Sequence, residues 1–134
     1  MPRKTDSNNP ADWLWLAESD LSVIRLALAP EVGFSTCRGK LAEVLEKVLK
    51  AELIRLGWTL EKTHDLNRLS EAMGERGSPL ADKATPICQT LAEVYFTDRY
   101  PGFDLDDPDW PALREQVDQV AALLAEAKGN LLGR

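Results

Sequence analysis

The chain's only histidine, His64, stands in the run Lys62-Thr63-His64-Asp65-Leu66, between two segments that read as amphipathic helices. A neutral imidazole can exchange protons near neutral pH, and a protonated one can contact an anion. A second polar-aromatic run, Arg99-Tyr100-Pro101, closes the helix that follows. Arg99 carries a permanent charge on a planar fork that suits phosphate. Tyr95 lies one helical turn before it and shares its face, while Tyr100 offers a further ring for stacking. The expectation is that a helical bundle brings the imidazole and the guanidinium to a common hollow.

Each cluster also has a plainer reading. Thr63 can cap the helix that follows, with His64 bonding its first turn or packing on Trp58. Asp65 is badly placed to orient the ring, because neighbours on a helix point apart. Arg99 can neutralise the carbonyls at its own helix end while Tyr100 plugs the bundle. Lys40, Lys47 and Arg55 on the second helix read as a solvated face, diluted by Glu43, Glu46 and Glu52. The stretch Asp104 to Asp109 holds four carboxylates but lacks the glycine and distal Glu of a calcium loop, so capping of the last helix by Asp107 or Asp109 is the better reading. His64-Asp65 evokes metal phosphohydrolases, which need further histidines. No metal and no cofactor are expected.

These residues must be positioned by helices. Asn9-Pro10 is a helix start, followed by Trp13, Leu14, Ala17, Leu21, Ile24 and Leu28 at helical period. Trp15 and Leu16 widen that arc, as if the helix touched more than one neighbour. Pro30 stops it. Ser35 or Thr36 caps a second helix to about Leu56, with Leu41, Val44, Leu45, Val48, Leu49, Leu53 and Leu56 as its stripe. Glu43–Lys47 and Glu46–Lys50 pair at i,i+4, and Gly57 suits a left-handed C-terminal cap. Thr63 caps a short third helix holding Leu66, Leu69 and Met73. Ser78-Pro79 starts a fourth, which runs through Ile87, Leu91 and Val94 to Arg99 and is interrupted or truly begun at Pro86. A fifth carries Leu113, Val117, Val120, Leu123 and Leu124. No stretch alternates as a strand would. The pattern predicts an all-α, antiparallel up-and-down bundle, with the third helix across one end.

With 134 residues, one domain is expected: residues 1–8 as a disordered segment and 9–134 as the bundle. A chain of this size buries roughly two-thirds of its unfolded surface, so it folds without disulfide or metal. Cys37 and Cys88 fall inside helical patterns and read as buried free thiols in a reducing compartment. The N-terminus lacks a signal-peptide core, and no run approaches the roughly 20 apolar residues of a membrane span, so a cytoplasmic protein is expected. The net charge of −6 argues against a broad grip on a nucleic-acid backbone but leaves room for a local basic pocket holding a nucleotide or an RNA end.

The order of features resembles the HEPN family (higher eukaryotes and prokaryotes nucleotide-binding domain). The matching residues are Trp13, Ala17 and Asp20-Leu21 on the first helix and Cys37 opening the second. They continue with Glu46-Lys47-Val48-Leu49-Lys50-Ala51, Gly57, Lys62-Thr63-His64-Asp65-Leu66 and Arg99-Tyr100-Pro101. The resemblance covers about residues 10 to 128. It implies a five-helix antiparallel bundle similar to the C-terminal domain of kanamycin nucleotidyltransferase, and a homodimer with its pocket at or near the dimer groove. Some family members bind nucleotides beside a small separate nucleotidyltransferase. Others are metal-independent ribonucleases that use an Arg and a His four to six residues later. Here no histidine follows Arg99, and Arg55 to His64 is too long a gap to substitute. The paired glutamines common before Glu-Lys on the second helix are Ala42 and Glu43 in this chain.

The leading expectation is a dimeric nucleotide-binding subunit that works with a nucleotidyltransferase. Arg99 would hold phosphate, Tyr95 or Tyr100 would stack, His64 would contact phosphate or ribose, and Lys47 and Lys50 would add field. The alternatives are a toxin-type endoribonuclease using Arg99 and His64, and a structural, antitoxin-like dimeric partner in which both clusters are helix caps.

Overall fold

The computed structural model describes residues 7–94 and 107–133. Among these residues the chain forms five helices and no strand: α1 (Pro10–Leu28), α2 (Phe34–Arg55), α3 (Leu66–Glu75), α4 (Ala81–Ala92) and α5 (Trp110–Leu131). Tyr95, Arg99 and Tyr100 lie outside the described residues, as does the expected run of the fourth helix beyond Val94. No described helix is long and apolar enough to cross a membrane.

Two helix starts follow the cap chemistry of the sequence. Asn9 Oδ1 accepts from the Ala11 amide at 3.0 Å, and Pro10 takes the first position, where no amide donor is required. Asp109 Oδ1 accepts from the Ala112 amide at 3.0 Å ahead of Trp110-Pro111.

Three starts differ from expectation. Helix α2 begins at Phe34, ahead of Ser35 and Thr36, with Gly33 at φ +68° as its cap residue and no side-chain cap. Packing decides this: Phe34 is buried and meets Trp110 edge-on, with centroids 5.4 Å apart and planes at 77°. The cap of α3 is Asp65, which accepts from the Arg68 amide at 3.2 Å; Thr63 Oγ1 accepts from the Asp65 amide one step upstream, also at 3.2 Å. Burial of Leu66, Leu69 and Met73 fixes that register. Ser78 precedes α4 by a turn, accepting from the Leu80 amide at 3.1 Å. Pro86 lies inside α4 and does not end it.

The end of α2 is the one the sequence announced. Gly57 takes φ +86°, the Trp58 amide bonds Leu53 O at 2.9 Å, and the Gly57 amide bonds Ile54 O at 3.0 Å. This double bond pattern reverses the chain and aims residues 58–65 back along the bundle, towards α3.

Helix α2 is the central post and packs against all four other helices. Its Leu41, Leu45, Leu49 and Leu53 are fully enclosed. Each such leucine contributes on the order of 1.5–3 kcal/mol relative to exposure. Cross-links between elements set the directions. Trp13 and Asp20 of α1 meet Lys50 and Lys47 of α2, so these helices run antiparallel. Glu18 pairs with Lys128, while Arg114 reaches Leu28 O at 2.8 Å, so α1 and α5 are antiparallel too. Helices α3 and α4 pack on each other and on α2. Helix α1 packs on α2 and α5; Trp15 and Leu16, expected to reach a further neighbour, are 69% and 42% exposed.

Candidate functional site

Two acidic residues of α2 that read as solvated are buried, and so is one lysine: Glu46 is 8% exposed, Lys50 4% and Glu52 1%. A helix covered on nearly all sides has little wet face, so its charges must find partners inside the protein.

Glu46 and Lys50 partner each other one turn apart, with Lys50 Nζ 3.0 Å from Glu46 Oε2. Lys50 Nζ also lies 5.3 Å from the centre of the Trp13 ring, within cation–π range. The Trp13 indole N–H is tied off on Ser7 O at 2.8 Å. One helical register away, Lys47 reaches Asp20 of α1 at 2.5 Å. Helix α1 thus closes over α2 through Trp13 and Asp20, seven residues apart and on one face.

The second carboxylate oxygen of the buried pair points at the lone imidazole. Glu46 Oε1 stands 2.8 Å from His64 Nδ1. Glu46 is 10% exposed at its side chain and His64 63%, so the pair runs from the interior to solvent. As the carboxylate of an ion pair, Glu46 accepts only; Nδ1 of the neutral ring therefore carries the proton, and the lone pair sits on Nε2. A carboxylate on one ring nitrogen fixes both ring orientation and tautomer. The result is an oriented imidazole able to accept a proton or, when charged, to contact an anion.

Glu52 makes a different kind of centre. Arg55 Nε reaches Glu52 Oε1 at 2.7 Å, and Ser78 Oγ donates to Glu52 Oε2 at 2.6 Å. Burial pushes this carboxyl up, but the hydrogen bonds from Arg55 and Ser78 and the Arg55 charge outweigh it and hold the group below the usual range. Enclosed and held by Arg55 and Ser78, Glu52 ties α2 to the turn before α4. A separate open hollow of about 210 Å³ lies between Trp58, Glu61 and α3, where Glu61 holds Arg68 by two bonds of 2.8 and 3.0 Å.

Of the residues singled out in the sequence, the structure places His64, Lys47 and Lys50 on one side of α2. Lys47 and Lys50 are committed to Asp20 and Glu46. Glu46 and Trp13 were not singled out as site residues. The available signal was charge inside an apolar run: Glu46 and Lys50 sit among Leu45, Val48, Leu49 and Ala51.

A family model for the HEPN domain matches residues 11–128. The chain belongs to that family. Neither curated proteins nor solved structures give a match. The all-α bundle of five helices is the HEPN architecture, and membership supports a nucleotide-binding or RNase-type role. HEPN domains commonly dimerise. Within this HEPN chain, the matched region includes the whole Trp13–Lys50–Glu46–His64 relay.

Proposed function

We propose that this chain is a nucleotide-binding subunit that works in the cytoplasm as a homodimer beside a small, separate nucleotidyltransferase. His64 contacts phosphate or ribose, Arg99 holds phosphate, and Tyr95 or Tyr100 stacks on the base. Lys47 and Lys50 add positive field. The observation that carries this reading is the Glu46–His64 hydrogen bond: a buried ion pair holds an exposed imidazole in one orientation. Isothermal titration with ATP, GTP and UTP tests it. Binding of at least one nucleotide, weakened in both His64→Ala and Arg99→Ala, is the expected result. Absence of heat for all three removes the reading.

The same hydrogen bond favours a second reading, a metal-independent endoribonuclease. A carboxylate-oriented imidazole is suited to take the proton of the ribose 2′-hydroxyl as its oxygen attacks phosphorus and the P–O5′ bond breaks, the leaving 5′-oxygen taking a proton from the charged ring or water. Arg99 would stabilise the negative charge on the non-bridging phosphoryl oxygens. RNA cleavage that survives EDTA and disappears in both single variants would establish it. Cleavage retained in both would point to a contaminating nuclease.

A further inference from the structure

Among the described residues, the outer face of α1 carries most of the large apolar side chains that the bundle leaves uncovered, with Val32 and Leu132 exposed elsewhere. Trp15, Val23 and Leu26 are 69%, 63% and 78% exposed, with Leu16 beside them. Folded proteins scatter single apolar residues over their surfaces, but a contiguous stripe marks a contact surface. With Ser19 and Ser22, these residues form one stripe, about 17 Å long at helical rise.

The spacing of that stripe says what covers it. Trp15, Ser19, Ser22 and Leu26 are separated by four, three and four residues, the spacing of a coiled-coil seam. The order is large, small, small, large, and it reads the same in both directions. A two-fold axis between Ser19 and Ser22 therefore sets Trp15 against the partner's Leu26 and Ser19 against the partner's Ser22. The flanking positions obey the same symmetry. Glu18, which also pairs with Lys128 of its own subunit, and Arg25 lie on one side of the seam and carry opposite charges; Leu16 and Val23, on the other, are both apolar. Antiparallel packing sets Glu18 near the partner's Arg25 and Leu16 near the partner's Val23. Parallel packing would set charge against apolar surface on both flanks. Self-complementarity about a two-fold is the defining property of an isologous interface.

We propose that a second copy of this chain packs its α1 antiparallel across this α1, around Ser19 and Ser22. The inference rests on the homodimer of the preceding reading and assigns its surface. An apolar hollow of about 230 Å³ between Ala11, Leu14 and Trp15 of α1 and Leu131 and Leu132 at the end of α5 extends the contact where the partner's Leu26 arrives. The Trp13 and Asp20 face of α1, which covers Lys50 and Lys47, lies to the other side of the seam and stays out of it.

Sedimentation velocity of the full chain, from low micromolar to near-millimolar concentration, reads the dimer directly. Leu26→Glu and Val23→Glu, at exposed positions, should weaken self-association about tenfold or more, as loss of a central apolar anchor does. The Ser19→Cys, Ser22→Cys double variant should form a covalent dimer on mild oxidation, because Cys37 and Cys88 are buried and silent. A Glu71→Cys variant on α3 should not. If the wild type dimerises but neither acidic variant weakens it and no cross-link forms, this seam is wrong while the homodimer stands. A wild type that is monomeric throughout overturns both and leaves the stripe to a different protein. Nucleotide titration reports separately on His64. Should an acidic variant lose helicity by circular dichroism, the cross-link decides.

Discussion

Glu46 Oε1 lies 2.8 Å from His64 Nδ1, joining the middle of α2 to the connection that leads into α3. The same carboxylate holds Lys50 on its other oxygen at 3.0 Å. One side chain thus neutralises a buried cation and aims a solvent-facing ring. The two contacts differ in setting, because Lys50 lies inside the bundle and His64 faces outward.

Removing Glu46 should therefore be costly for the fold. Glu46→Ala leaves the Lys50 ammonium buried without its carboxylate, which costs about 3–5 kcal/mol. The Glu46→Leu, Lys50→Met pair, which removes both charges, should lose far less. His64→Ala should stay within about 1 kcal/mol of wild type, as expected of an exposed side chain. Urea denaturation of the three variants measures this; equal losses in the first two would show that Lys50 does not depend on Glu46.

Acid should loosen the bundle through Glu52. Its folded carboxyl sits below the ordinary value, so the unfolded chain binds its proton more readily. The stabilisation is complete above the ordinary carboxylate value and is lost as pH falls through the lowered one. Glu52→Gln should start from a less stable protein and show a shallower acid limb. Chemical denaturation from neutral pH down to pH 3 compares the slopes; parallel curves would assign the acid sensitivity to other carboxylates.

Alkali should act through Cys88. Burial pushes this thiol up to about 12, against 9.0 for a free one, and the Ser70 hydrogen bond offsets little of that. Below the free value both states hold the proton and nothing is lost. As pH rises from there towards the folded value, only the unfolded chain ionises, and stability drops by about 1.4 kcal/mol per pH unit. Cys88→Ala should lose this limb. In the native protein at neutral pH, both cysteines should resist a disulfide reagent until denaturant is added; prompt labelling would contradict their burial.

Gly57→Ala tests the turn that delivers the His64 segment. No atom lies within 4 Å of an added Cβ, so the penalty is conformational only. At φ +86° it should be about 1–2 kcal/mol, with Gly57→Asn losing less. Thermal unfolding orders the three proteins, and an alanine variant as stable as wild type would mean that the turn can relax.

Much of this architecture was legible in the sequence. Among the described residues periodicity located each helix, because each buries a stripe against α2; Asn9 and Gly57 announced their ends by local chemistry, and Asp109 is one of the two caps the sequence left open for the last helix. The starts at Phe34 and Asp65 were not legible, since each is set by burial of a residue from another part of the chain's pattern: Phe34 against Trp110, and Leu66 in the shared core. The candidate site was half legible. His64 stood out by its rarity. Glu46 and Lys50 looked like an ordinary surface pair, and only the approach of Trp13 from α1 turns that pair into an interior one.

Because α1 begins beside the hollow where α5 finishes, near Ala11 and Leu132, the two extremities of the fold meet at one corner. A short linker could join them, and the backbone could be reopened at the Ala29–Gly33 connection to give a circular permutant with the same interior.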